Sequence, residues 1–220
     1  MGKYLNIGLI IIVAALAGYI LVKPGTTPEP SASPESITQQ PKESPMPSPA
    51  KQYQEAKQVL EAGKEYQVVL ATSEGELTIK LDTLNTPKTA NNFAFLAKEG
   101  FYDNTIFHRV IKDFMVQGGD PTGTGTGSPG YKFADEYLEG EYTLGKIAMA
   151  NSGPDTNGSQ FFLMHADYPL PNNYVIFGEI TNGLDVLDKL ANTPVKANAM
   201  GENSSPVKPP VITTATVEEL

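Results

Sequence analysis

The stretch Phe107–Asp120 contains one of the chain's two histidines, His108, next to Arg109, and Arg109 is the only arginine among 16 basic residues. In a continuous extended strand Arg109 would share a face with Phe107 and Ile111. His108 would share the other with Ile106 and Val110, so both polar side chains would fall among apolar neighbours. A guanidinium in such surroundings costs on the order of several kcal/mol unless it is paired. It either serves a purpose there or is bridged to an Asp or Glu at the surface, and spacing alone leaves both readings open.

Other chemistries are poorly supplied. With two histidines and no cysteine there is no zinc site of the usual kinds, no thiol nucleophile and no disulfide, and no metal is expected. Ser159 lacks the flanking glycines of a nucleophile elbow. Gly123-Thr-Gly125-Thr-Gly127 lacks the Gly-Lys-Ser/Thr ending of a phosphate loop and reads as a flexible surface loop. A pI near 4.7 opposes the basic surface that nucleic acid requires, so nucleic acid is not expected as a partner.

Several elements must position Arg109. Tyr66–Thr72 and Glu76–Asp82 are strand-like, joined by a turn at Ser73-Glu74-Gly75. A helix follows, with Thr86 as its cap, Pro87 in its first position, Phe93, Leu96 and Ala97 as its buried stripe, and Gly100 just past its end. Short apolar runs then alternate with Gly, Pro, Asn and Asp. Leu184–Ala191 forms a second helix with Leu184, Leu187 and Leu190 inward, and Val211–Val217 is a closing strand. Many short strands with two helices point to a mainly β barrel or sandwich.

The first 64 residues are of another kind. Leu5–Val22 is uncharged and apolar except for Asn6, about long enough to cross a ~30 Å hydrocarbon core. Residues 1–23 are expected to be a retained membrane anchor; the alternative is a signal peptide cleaved near Ala15-Leu16-Ala17. Residues 24–50, rich in proline and serine, read as a disordered, extended spacer. Residues 51–64 predict a short helix, with Tyr53, Ala56 and Leu60 on one face and Gly63 as its stop. Net charge divides accordingly, +1 over residues 1–64 and −10 over residues 65–220, which adds to the −9 of the whole chain.

Five stretches resemble the cyclophilin-type peptidyl-prolyl isomerases in the family's order and spacing. They are TPKTANNFAFLAKEGFYDNTIFHR from Thr86, FHRVIKDFMVQGGD from Phe107, GSPGYKFADE from Gly127, AMANSGPDTNGSQFF from Ala148 and NYVIFGEI from Asn173. The likeness spans about residues 65–220 and implies a closed eight-stranded antiparallel barrel capped by two helices, with an active groove on the outside of one face. It implies that Arg109 is catalytic, that Phe114, Met115, Phe162 and Leu170 line a pocket for the proline ring, and that Gln117, Ala150, Asn151 and Gln160 hold the peptide backbone. Tyr174 stands at the pocket wall where many members have a histidine. Pro169 stands where many eukaryotic members place the tryptophan associated with tight cyclosporin binding, and the short loop around it resembles bacterial members.

The implied activity needs no cofactor. Rotation about a peptide bond faces a barrier of ~18–20 kcal/mol because the nitrogen lone pair is delocalised. A guanidinium aimed at the prolyl nitrogen can hydrogen-bond that lone pair only after the bond has twisted and the pair has localised. The contact is thus stronger in the transition state than in the ground state. Arginine suits this better than lysine, because its fork is rigid and its charge permanent. His108 and His165 are read as structural, His108 satisfied by its neighbours and His165 at a strand end. The expected partners are proline-containing segments of unfolded or partly folded exported proteins, met outside the cytoplasm by a monomer held at the membrane. The alternative is a non-catalytic module that binds proline peptides as a chaperone or scaffold.

Overall fold

A computed structural model describes residues 51–220. The expected anchor (1–23) and spacer (24–50) lie outside the described residues, among which no helix is long and apolar enough to cross a membrane. The elements in order are β1 (Tyr66–Thr72), β2 (Gly75–Leu81), α1 (Pro87–Lys98), β3 (Thr105–Ile106), β4 (Arg109–Ile111), β5 (Met115–Gly118), β6 (Lys146–Met149) and β7 (Phe161–Met164). They continue with β8 (Ile176–Asn182), α2 (Leu184–Ala191), β9 (Val195–Ala197), β10 (Asn203–Pro206) and β11 (Val211–Glu219).

Nine strands form one antiparallel sheet in the order β3-β11-β1-β2-β8-β6-β7-β5-β4, and β9 pairs with β10 in a separate hairpin. The count differs from the eight-stranded closed barrel expected: the sheet is curled, and its two outermost strands are successive pieces of one segment, residues 105–111. The ladder changes partner at Phe107 and His108. The Phe107 amide donates to the Pro210 carbonyl at 3.0 Å, beside β11, while the His108 amide donates to the Gln117 carbonyl at 3.1 Å, on β5. This break also undoes the expectation that Phe107 and Arg109 share a face. Phe107 turns wholly into the core, where its ring lies so near Gly118 that a Cβ there would come within 2.9 Å of it. Arg109 turns outward.

The core on the concave side joins Val68, Leu70, Leu77 and Ile79 of β1 and β2 to Phe93, Phe95 and Leu96 of α1 and to Leu187 and Leu190 of α2. Leu184 is exposed instead of inward, and Val186 takes a buried place on that helix. Helix α1 begins at Pro87 as expected, but Thr86 does not cap it with its side chain. The Thr86 hydroxyl donates back to the Asp82 carbonyl at 2.9 Å. The distant Glu136 carboxylate accepts from the Lys88 and Thr89 amides instead, at 3.0 and 2.6 Å. A negative charge at this end of the helix is favourable, and the loop 127–136 is thereby tied to α1. Gly100, with φ +62°, takes the left-handed position past the helix end.

Residues 51–64 form no helix. Leu60 is buried, and Tyr53 lays its ring edge-on to Phe95 at 5.1 Å. The main chain finds its partners outside itself: the Tyr53 amide donates to the Pro129 carbonyl, and the Val59 and Leu60 amides both donate to Asn91 Oδ1. Bonds of this kind compete with the i to i−4 bonds of a helix, and here α1 and the loop at Pro129 supply them.

Candidate active site

The register of the sheet draws the site. Arg109 on β4 lies opposite Gln117 on β5, Gln117 opposite Phe162 on β7, and Phe162 opposite Ala148 on β6. Directly paired residues point to the same side, so these four make one row across four strands. Two residues along, Ile111, Met115 and Met164 make a second row on the same side. The residues between, Val110, Val116, Leu163 and Ile147, point the other way into the core.

The outer rows carry a second apolar cluster, separate from the core. Met115, Tyr142, Ala148, Phe162 and Met164 are its buried members, and Phe114, Ala150, Leu170, Tyr174, Ile111 and Ile176 surround them half-buried. Tyr174 meets Phe162 edge-on, with ring centroids 5.4 Å apart. Phe114, in the turn between β4 and β5, meets Tyr168 with the two rings tilted and their centroids 4.5 Å apart. The six apolar residues assigned to the groove by sequence resemblance therefore lie in one cluster.

A polar rim borders it. Gln117 Nε2 donates to Gln160 Oε1 at 3.0 Å, and Gln160 Nε2 donates to the carbonyls of Gly125 and Gly127 at 3.1 and 3.0 Å. The Gly123–Gly127 segment is indeed a surface loop, but an organised one. The Asp120 carboxylate accepts from the Thr122 amide and hydroxyl and from the Gly125 amide. Burial works to raise the Asp120 carboxyl, and hydrogen bonds from Thr122, Gly127 and Gly125 outweigh it, leaving the group below its ordinary value. Asn151 Nδ2 donates to the Asn173 carbonyl at 2.8 Å, which fastens the end of this rim to the residue before Tyr174.

Arg109 sits at the edge of the cluster, its side chain 19% exposed. Its Nε and Nη2 donate to Glu202 Oε2 and Oε1 at 2.9 and 2.8 Å, and its Nη1 faces Met115 Sδ at 3.9 Å. The bridge to a carboxylate left open by the spacing is therefore present, and the bridged residue also borders the apolar cluster. The guanidinium holds the Glu202 carboxyl below its ordinary 4.5 against the opposing effect of burial.

A family model for the cyclophilin type peptidyl-prolyl cis-trans isomerase matches residues 67–217. The chain belongs to this family. Among cyclophilins, the peptidyl-prolyl cis-trans isomerase-like 1 of Neurospora crassa is 49% identical over 133 residues, 58% of this chain and 82% of that protein. The human peptidyl-prolyl cis-trans isomerase-like 3 is 47% identical over 134 residues, 58% of this chain and 83% of that one. A crystal structure of a cyclophilin from Cryptosporidium parvum superposes with a TM-score of 0.65 at 39% identity, covering 70% of this chain and 98% of that one. These relatives are eukaryotic, so the expected likeness to bacterial cyclophilins is not borne out.

Three residues of the candidate site in this cyclophilin were not foreseen from the sequence. Tyr142 donates its hydroxyl to the Tyr174 carbonyl at 2.8 Å and accepts from the Tyr174 amide at 3.1 Å, so one phenol pins the pocket wall. Burial raises that phenol above its ordinary value, with the main-chain hydrogen bond from Tyr174 opposing. Tyr168 backs Phe114. Glu202 is the third, and its distance of 93 residues from Arg109 hid it. For Tyr142 and Tyr168 the available signal was aromatic character in segments flanking the recognised motifs. His108 departs from expectation too: its buried Nδ1 has no hydrogen-bond partner among the described residues. His165 does follow a strand, β7, and its Nδ1 accepts from the Asp113 amide at 3.0 Å.

Proposed function

We propose that this cyclophilin accelerates rotation of X-Pro bonds with Arg109 as the catalytic residue and with the outer cluster as the seat of the proline ring. The observation that carries the reading is the row Arg109–Gln117–Phe162–Ala148, in which a cation, an amide and an apolar floor follow one another across four paired strands. A ring seated on Phe162 and Met115 leaves the preceding carbonyl free to swing, and the Arg109 fork lies within reach of the ring nitrogen. Gln117, Gln160, Ala150 and Asn151 border the path of the peptide chain. The dryness of the cluster strengthens the Arg109 contact, since fewer waters compete for it. The Cryptosporidium cyclophilin has also been crystallised in the presence of the dipeptide Ala-Pro, which is consistent with a proline-containing ligand for this fold.

The clients in this reading are exported, partly folded proteins. The support is the uncharged apolar run Leu5–Val22 followed by a proline-rich spacer, which together would hold a monomeric enzyme at a membrane with its isomerase domain outside the cytoplasm. Recovery of residues 1–22 with the membrane fraction supports this placement, and a mature N-terminus near Gly18 would show secretion after cleavage instead. For the chemistry, NMR exchange on a proline peptide is the test. Arg109→Ala is expected to slow the exchange about 100-fold; an unchanged rate would remove Arg109 from the mechanism and favour a module that only binds.

A further inference from the structure

Glu202 lies outside every motif by which the family was recognised, yet it makes the two shortest polar contacts of the Arg109 side chain. We propose that Glu202 is a positioning residue: it grips Nε and Nη2 of Arg109 so that Nη1 is the donor turned toward the prolyl nitrogen. The inference rests on the reading of Arg109 as the catalytic residue.

The geometry of the guanidinium makes the division of labour specific. Its five N–H groups lie in one plane, and a carboxylate that takes the Nε/Nη2 edge with both oxygens sets that plane and the rotation of the long side chain at once. What is left is Nη1, whose recorded contact is the sulfur of Met115, a member of the apolar cluster. An arginine without such a grip would sample several rotamers, and each turnover would have to gather it into position. A donor already oriented where the lone pair develops needs no such rearrangement.

Glu202 is itself held, which a surface carboxylate that happens to be nearby would not be. Asn198 organises the tip of the β9–β10 hairpin. Its amide donates to the Glu202 carbonyl at 2.8 Å, its Oδ1 accepts from the amides of Glu202 at 3.0 Å and Met200 at 2.9 Å, and its carbonyl accepts from the Gly201 amide at 3.0 Å. Gly201, with φ +83°, permits the turn. The hairpin is rooted in turn, with Ser204 and Pro206 buried and the Val207 amide donating to the Pro194 carbonyl at 2.9 Å. A register shift between Asn203 and Ser205 places an irregularity directly beside Glu202. Bulges of this sort re-aim a neighbouring side chain. The path from fold to guanidinium is therefore continuous: hairpin root, Asn198 loop, Glu202, Arg109.

Because Arg109 is the only arginine, its Nε–H gives a unique NMR signal in the full chain, which separates positioning from general damage. In the wild type that signal is expected to be sharp and slow to exchange with water. In Glu202→Ala it should become averaged and fast-exchanging, with kcat on a proline peptide lowered about tenfold and KM moved by less than about twofold. Glu202→Gln keeps the side-chain length but sets its NH2 against one guanidinium N–H, so it keeps one of the two bonds and should lie between. Folded Glu202→Ala and Glu202→Gln proteins that keep kcat within about twofold of wild type, or an unaltered Nε–H signal in Glu202→Ala, would overturn the proposal. Arg109→Ala serves as the control. If it is inactive while both Glu202 variants are fully active, only the role of Glu202 fails; if it is fully active, the reading of Arg109 fails and takes the role of Glu202 with it.

Discussion

The strands β4, β5, β7 and β6 have two faces built from alternate residues of the same short segments, and the faces differ in what they tolerate. Inward, Val110, Val116, Leu163 and Ile147 are all at most 1% exposed and meet the aromatic core. Outward, Arg109 and Gln117 are half-buried, and Phe162 and Ala148 are buried beneath a half-buried apolar border that includes Phe114, Leu170 and Tyr174. The inner face is stabilised by complementarity within the protein. The outer face has apolar area that the protein itself only partly covers, which is what a ligand surface needs. One residue of register separates them, so a strand slip would exchange core and groove entirely.

If the two faces have these separate roles, substitutions on one strand should separate stability from activity. Leu163→Ala should cost the most, about 3 kcal/mol in urea unfolding, while the remaining folded molecules keep their kcat/KM. Phe162→Ala, its sequence neighbour, should raise KM for a proline peptide about tenfold, with a stability loss no larger than that of Leu163→Ala because the residues around its buried ring, Phe114, Leu170 and Tyr174, are only half-buried. A Phe162→Ala protein that loses more stability than Leu163→Ala, with KM unmoved, would make the outer cluster a second core and not a groove. Tyr142→Phe probes the wall between: loss of a hydroxyl that both donates to and accepts from the Tyr174 main chain should cost about 1 kcal/mol and raise KM two- to threefold.

The smallest effect concerns pH. Burial lowers the pKa of His108 below its ordinary 6.5, with Asp120 opposing and Arg109 assisting. The unfolded chain therefore takes up a proton near pH 6.5 that the folded chain refuses. Stability should be level in this respect above pH 6.5 and fall as pH drops from 6.5 toward the folded value, by at most about 1.4 kcal/mol per pH unit. Thermal unfolding between pH 7.5 and 5.5 should show this slope in the wild type and a shallower one in His108→Gln. Equal slopes would mean that His108 ionises freely within the fold.

Much of this could be seen in the residues. The strand-like Tyr66–Thr72 and Glu76–Asp82, the proline and glycine at the two ends of α1, and the amphipathic Leu184–Ala191 are local patterns, and the elements formed where those patterns lay. The motif segments likewise contained the groove residues that the register brings together. Two of the failures were of one kind. Residues 51–64 have helix-like spacing but form no helix, because Asn91 and Pro129 offer their main chain better partners. Thr86 has the right type for a cap, yet Glu136 does the capping from 50 residues away. In each case a distant group outcompeted a local rule.

The same division holds at Arg109. Composition set one arginine apart, and motif order placed it with the pocket residues, so its candidacy was determined by the sequence alone. Which way it faces was not, because the ladder changes partner at Phe107 and His108 and only the pairing of the folded sheet decides that. Nor was its partner, since Glu202 reaches it by way of a hairpin whose own sequence shows no tie to β4. Local backbone preferences are written in neighbouring residues and can be read from them. The orientation and pairing of a half-buried charge depend on desolvation and on groups brought close only when the chain has folded, and so belong to the tertiary structure.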